Sequence, residues 1–143
     1  MTQLIYSALP QPRRPIIYIH PEMKIIDCVH IMTKENVGAL VVKQANKLVG
    51  IVSERDIVRG SLQEGFDFHQ GKVMDLLWTE VSILDLFEPL EKAMETISKT
   101  KRRHVLVSEQ GNLVAILSIG DLLFHLLEDK TKVIEHLENY IYS

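Results

Sequence analysis

The chain has 143 residues, of which 46% are hydrophobic and 24% charged, with a net charge of −3 and a pI near 6.1. That length holds one domain or two half-sized units sharing a core, and the acidic balance speaks against a sequence-independent nucleic-acid binder, which carries a basic face. A single cysteine, Cys28, excludes an intrachain disulfide and a Cys-rich zinc site, no stretch approaches the ~20 apolar residues of a membrane span, and a soluble, cytoplasmic protein is expected.

Residues 1–15 carry three prolines and two arginines and read as an irregular arm; arginines placed after a short apolar stretch are the reverse of a secretory signal. A short apolar strand follows at 16–19. Ile25, Cys28, Val29 and Met32 then recur at helical spacing and make one apolar stripe. Two β-branched or leucine-rich runs, 40–42 and 48–52, flank a polar turn at 44–47, and a second helix begins near Glu54. Residues 60–72, with Gly60, Gly65 and Gly71, read as a connection. The series then returns: a strand at 81–84, the stripe Leu90, Ala93, Met94 and Ile97, strands at 105–107 and 113–117 around a turn with Gly111, and a helix from about Ile119. The tail from 130 to 142 places Val133, Ile134, Leu137, Tyr140 and Ile141 on one face, as an amphipathic helix that docks on this chain or on a partner.

The return is a repeat. Positions 16–58 lie over 81–123 without a gap, with seven identities in 43. Of the 20 apolar residues in the later window, 16 face an apolar residue in the earlier one, against roughly 11 for independent placement. The unit is β-α-β-β-α. One unit cannot bury its sheet and helices alone, so the expected fold is α/β, two pseudo-symmetric repeats packed as a pair with a C-terminal helix. The expected boundaries are an arm at 1–15, repeats at 16–66 and 67–127, and the last helix at 128–143.

The polar residues common to both halves stand where the last strand meets the second helix, in GIVSERDIV at 50–58 and AILSIGDLL at 115–123. Ser53 and Ser118 end the strands; Asp56 and Asp121 follow three residues later. One reading is a capping box, in which the serine accepts from the N3 amide and the N3 acid reaches back. The other uses the same corner for a nucleoside phosphate. The helix start and hydroxyl suit the phosphate, the carboxylate suits a ribose diol, and the neighbouring strands offer an apolar slot for a base.

Two β-α-β-β-α units, each closing with Gly/Ala, two hydrophobics and Ser-x-x-Asp, resemble a tandem pair of cystathionine-β-synthase (CBS) domains, a Bateman module, over about residues 16–127. The resemblance implies a non-catalytic regulatory or sensor module that binds an adenosine ligand of the AMP, ADP, ATP, NAD(H) or S-adenosylmethionine class between the repeats. AMP is the foremost candidate, and no other cofactor is required. The family's ribose-binding aspartate maps onto Asp56 and Asp121, its phosphate-side hydroxyl onto Ser53 and Ser118. Ile16, Ile17, Val81 and Ser82 would flank the base. Basic residues before the middle strand are present only in the second repeat, as Arg102, Arg103 and His104 beside Lys101; the first has Val37, Gly38 and Ala39 opposite them. Glu54 adds negative charge at the first corner, where Arg55 and Arg59 stand to offset it, and the corner of Ser118 and Asp121 is expected to be the stronger site; a second reading has the basic cluster of one repeat serve the phosphate bound at the other corner. The family also implies a homodimer through helical faces and a separate effector protein. The alternative is a CBS dimer without ligand, whose Ser-x-x-Asp elements are caps alone.

The family's Asp-Ile-Met-Thr leader is replaced by Val73-Met74-Asp75-Leu76-Leu77-Trp78 before the second repeat, and Trp78 there reads as a packing residue. The six histidines form no metal-ligand spacing; only His104 falls near the expected ligand. Cys28 aligns with Ala93 and reads as a small core residue. No phosphate-loop, dinucleotide or nucleophile-elbow motif is present, so no enzymatic activity, membrane contact or nucleic-acid contact is expected.

Overall fold

The computed structural model describes residues 3–142, with the side chains at 131–133, 136 and 140–142 outside the description. Its elements in chain order are α1 (Ile5–Ala8), β1 (Tyr18–Ile19), α2 (Ile25–Glu35), β2 (Ala39–Gln44), β3 (Lys47–Ser53), α3 (Glu54–Gly60), β4 (Ile83–Asp85), α4 (Leu90–Thr100), β5 (His104–Glu109), β6 (Asn112–Ser118) and α5 (Ile119–Tyr142). They form two units: one is Ile16–Val81, and the other joins the residues up to Pro15 to those from Ser82 on. Each has a three-stranded sheet, β1-β2-β3 or β4-β5-β6, whose first pair is parallel and second antiparallel. The expected α/β repeat is the fold the chain adopts.

The 65-residue offset read from sequence holds to single-residue detail. Helix α4 repeats α2, and β5 and β6 repeat β2 and β3, with both ends displaced by that number. The ladder Ala39↔Ser53 becomes His104↔Ser118, and a bulge follows Val42 as it follows Val107. Both hairpins turn on two residues of positive φ, Ala45 (51°) and Asn46 (62°) or Gln110 (51°) and Gly111 (81°). Two such residues make a turn whose twist matches that of the flanking strands. The repeated turn therefore fixes the same register twice.

In the first unit the stripe of α2, Ile25, Cys28 and Met32, buries against Ile19, Leu40, Val42, Val52, Ile57 and Val73. In the second, Leu90, Ala93 and Ile97 of α4 bury against Leu84, Val105, Val107, Ala115, Leu117 and Leu122. Met94, expected on that stripe, is instead 41% exposed.

The leader segments differ from their reading in sequence. The arm read as irregular contains α1, and Ile5, Ala8 and Leu9 lie in the core of the second unit. Backbone bonds from Ile5 to the Glu88 carbonyl (2.9 Å) and from Leu90 to the Gln3 carbonyl (2.8 Å) fix it there. Conversely, Val73 is fully buried in the first unit, and its amide donates to the Met23 carbonyl at 2.8 Å. Trp78 and Ile51 exchange backbone bonds of 2.8 and 2.9 Å, and the Trp78 indole donates to the Glu80 carbonyl.

The last helix is not a separate element. It continues from Ile119 to Tyr142 without a break. Gln3 contacts both Asp129 and His125 on it, the latter at 2.7 Å. Of the expected apolar face, Ile134 and Leu137 are exposed, while the side chains of Val133, Tyr140 and Ile141 lie outside the described residues.

Candidate functional site

Each antiparallel ladder ends by delivering a serine to the start of a helix, so the corner is a product of register. At the first corner Ser53 is buried and its bonds close on themselves. Its amide donates to Asp56 Oδ2 at 2.9 Å, its hydroxyl donates to the same oxygen at 2.8 Å, and its Oγ accepts from the Asp56 amide at 3.3 Å. The capping box is complete there, and the further bond from the hydroxyl to Asp56 uses the hydroxyl hydrogen.

The second corner repeats two of these bonds and omits the third. The Ser118 amide donates to Asp121 Oδ2 at 3.1 Å, and Ser118 Oγ accepts from the Asp121 amide at 3.0 Å. Among the described residues the Ser118 hydroxyl donates to no protein acceptor, so its hydrogen is available to a ligand. The other oxygen of Asp121, Oδ1, accepts from Arg14 Nη2 at 2.9 Å.

The backbone before each corner is also equivalent. The Ile119 amide donates to the Arg103 carbonyl at 2.8 Å, as the Glu54 amide does to that of Gly38 at 3.0 Å. The side chains make the difference. A β-carbon at Gly38 would stand 3.7 Å from the Glu54 carboxylate, so an acid lies over the position that an arginine occupies in the other repeat. Arg103 is exposed, and among the described residues its side chain has no protein partner. Of the first three amides of α5, those of Ile119 and Asp121 are used within the protein, and Gly120, free of side chain, lies between them. An anion at this helix start would find the Gly120 amide and the Ser118 hydroxyl as donors, with Arg103 in the loop bonded to the first amide of the helix.

Of the residues singled out in the sequence, Ser82, Arg102, Arg103, His104, Ser118 and Asp121 share the second unit. His104 is the ladder partner of Ser118, and the Ser82 carbonyl accepts from the Leu106 amide at 2.9 Å, so Ser82 stands at the same end of the sheet. Arg102 is partly buried, with its amide on the Thr100 hydroxyl. Ile16, Ile17, Val81, Ser53 and Asp56 belong to the first unit, where Ile17 packs on the core and its carbonyl accepts from Val41. Arg14 was not legible in the sequence, because no spacing connects it to a residue 107 positions away.

Other chemistry has little footing among the described residues. No three His, Cys, Asp or Glu side chains cluster as a metal site. Cys28 is fully buried, and burial pushes its thiol up to about 11, far from a reactive thiolate. A shallow depression lined by Tyr18, His20, Met23, Lys43 and Asn46 lies at the hairpin end of the first sheet, away from Ser53, and Lys43 covers the Tyr18 ring at 3.8 Å. No helix is long and apolar enough to cross a membrane.

Comparison with known proteins follows the same division. The CBS domain family model matches twice, over residues 7–62 and 73–128. A mitochondrial CBS domain-containing protein of Arabidopsis thaliana is 29% identical over 122 residues; the match covers 82% of this chain but 59% of that longer protein. A CBS-domain containing protein from Agrobacterium tumefaciens has a TM-score of 0.78 at 27% identity, covering 85% of this chain and 97% of the other. A CBS domain protein from Pyrobaculum aerophilum, solved in complex with AMP, has a TM-score of 0.73 at 30% identity, covering 90% of this chain and 99% of its own.

Proposed function

This chain belongs to the CBS domain family, as a tandem pair, and from that premise we propose that it is a non-catalytic regulatory module whose ligand is an adenine nucleotide, AMP foremost. The ligand seats at the corner of Ser118 and Asp121. One observation carries this choice: among the described residues the Ser118 hydroxyl keeps its hydrogen, whereas the Ser53 hydroxyl is spent on Asp56. The phosphate takes the Ser118 hydroxyl, the Gly120 amide and Arg103; the ribose diol takes the carboxylate of Asp121. The Pyrobaculum relative with bound AMP supports the ligand class.

Such a module works by linkage, because a ligand that prefers one arrangement of the protein stabilises it. The arrangement is read by a second copy of the chain or by an effector protein. Exposed Leu123, Phe124 and Leu127 on α5 supply apolar surface for that contact. The competing reading, an interaction module without ligand, draws on the capping-box bonds present at both Ser53 and Ser118 and on the same exposed face.

A thermal-shift panel of AMP, ADP, ATP, NAD(H) and S-adenosylmethionine separates the two. Ligand at about 100 times its Kd adds about 2.7 kcal/mol, or roughly 5–10 °C for a chain of this size. No shift with any member of the panel leaves the interaction module as the function.

A further inference from the structure

Both oxygens of Asp121 are engaged within the protein, Oδ2 by the Ser118 amide and Oδ1 by Arg14 Nη2 at 2.9 Å. The Asp121 side chain is 13% exposed and that of Arg14 57%, so the guanidinium forms the solvent-side cover of the carboxylate. We propose that Arg14 is a displaceable latch on the ribose-binding carboxylate, which the nucleotide must release to bind. This rests on the reading of the Ser118–Asp121 corner as the nucleotide site and adds its regulation.

Three features of the chain fit a latch rather than a fixed structural bond. The pair is exposed on the arginine side, where ion pairs are weak and the guanidinium is readily solvated. The root of the arm is held independently, by buried Ile5, Ala8 and Leu9 and by Arg13 over the Tyr6 ring at 5.8 Å. Gln11, Pro12, Arg14 and Pro15 are exposed, so Arg14 moves without unpacking the core. Finally, the sequence does not repeat Arg14 itself. The residue 65 positions after it is Thr79, which carries no charge. Ligand arrival at Asp121 is thereby reported to the segment that leads out of the second unit into Ile16.

A latch closed in most molecules scales apparent affinity down to the fraction that stands open. Adenosine is the probe that isolates this effect, because it carries the diol but no phosphate for Arg14 to attract. Calorimetric titration of the full chain with adenosine should show Arg14→Ala binding about two- to fivefold tighter than wild type, with Arg14→Lys between them. Raising salt should tighten adenosine binding to wild type and leave Arg14→Ala unchanged, because an exposed pair is screened. Unchanged or weaker binding by Arg14→Ala overturns the latch; if Asp121→Ala still loses AMP in the same experiment, the nucleotide site itself stands. Wild type that binds neither AMP nor adenosine overturns both.

Discussion

The Ile119 amide donates to the Arg103 carbonyl at 2.8 Å, and this bond ties the basic loop after α4 to the first turn of α5. Its counterpart joins Glu54 to Gly38 at 3.0 Å, so one scaffold presents an arginine at one corner and an acid at the other. The two repeats are near copies in backbone and differ in the side chains set beside this bond, Arg103 in one and Glu54 in the other.

The phosphate contact is tested by removing its cation. Arg103→Ala should weaken AMP about five- to thirtyfold, the span of a charge-assisted hydrogen bond discounted for exposure, and leave adenosine within twofold. Equal losses for both ligands would show that Arg103 does not meet the phosphate.

Gly50 is a packing requirement of the leader. A β-carbon there would stand 2.2 Å from the Trp78 carbonyl oxygen, which the paired bonds to Ile51 hold in place. Gly50→Ala should therefore cost about 1–3 kcal/mol in denaturant unfolding, the range of an overpacked site. Gly38→Ala meets only the Glu54 side chain at 3.7 Å and should stay within about 0.5 kcal/mol.

The arm belongs to the second unit's core. Ile5 is fully buried among Leu84, Leu90 and Leu122, and Ile5→Ala should destabilise the protein by about 2–5 kcal/mol. A loss under about 0.5 kcal/mol would mean that the arm does not pack there in solution.

Cys28 gives a pH signature. Burial raises its thiol from 9.0 to about 11, so the unfolded chain releases this proton first. The contribution is fully present below pH 9 and is lost as pH rises through 11, at up to about 1.4 kcal/mol per unit. Wild type should lose stability relative to Cys28→Ala across that window, and thiol reagents should label Cys28 only on unfolding.

The repeat and its corners were legible because both are local. Stripes such as Ile25, Cys28 and Met32, and a serine three residues before an aspartate, carry their meaning in spacing. The leaders were not legible. Ile5, Ala8 and Leu9 lie among prolines with no long periodic run, and their partners are some 80 residues away. The same limit hid Arg14, and it hid the difference between Ser53 and Ser118, which lies in the direction of one hydroxyl. The tail was read as a helix of its own from its apolar face, but Glu128, Lys130 and Lys132 are good helix formers and α5 runs through them.

The most direct measurement is calorimetric titration of AMP into wild type, Asp121→Ala and Asp56→Ala. Wild type should bind one AMP per chain, and Asp121→Ala should lose at least about tenfold in affinity. Asp56→Ala should keep wild-type affinity while losing about 1 kcal/mol of stability with its cap. Retention of AMP by Asp121→Ala together with its loss in Asp56→Ala, or the absence of any heat with wild type, would contradict the assignment of the ligand to the second corner.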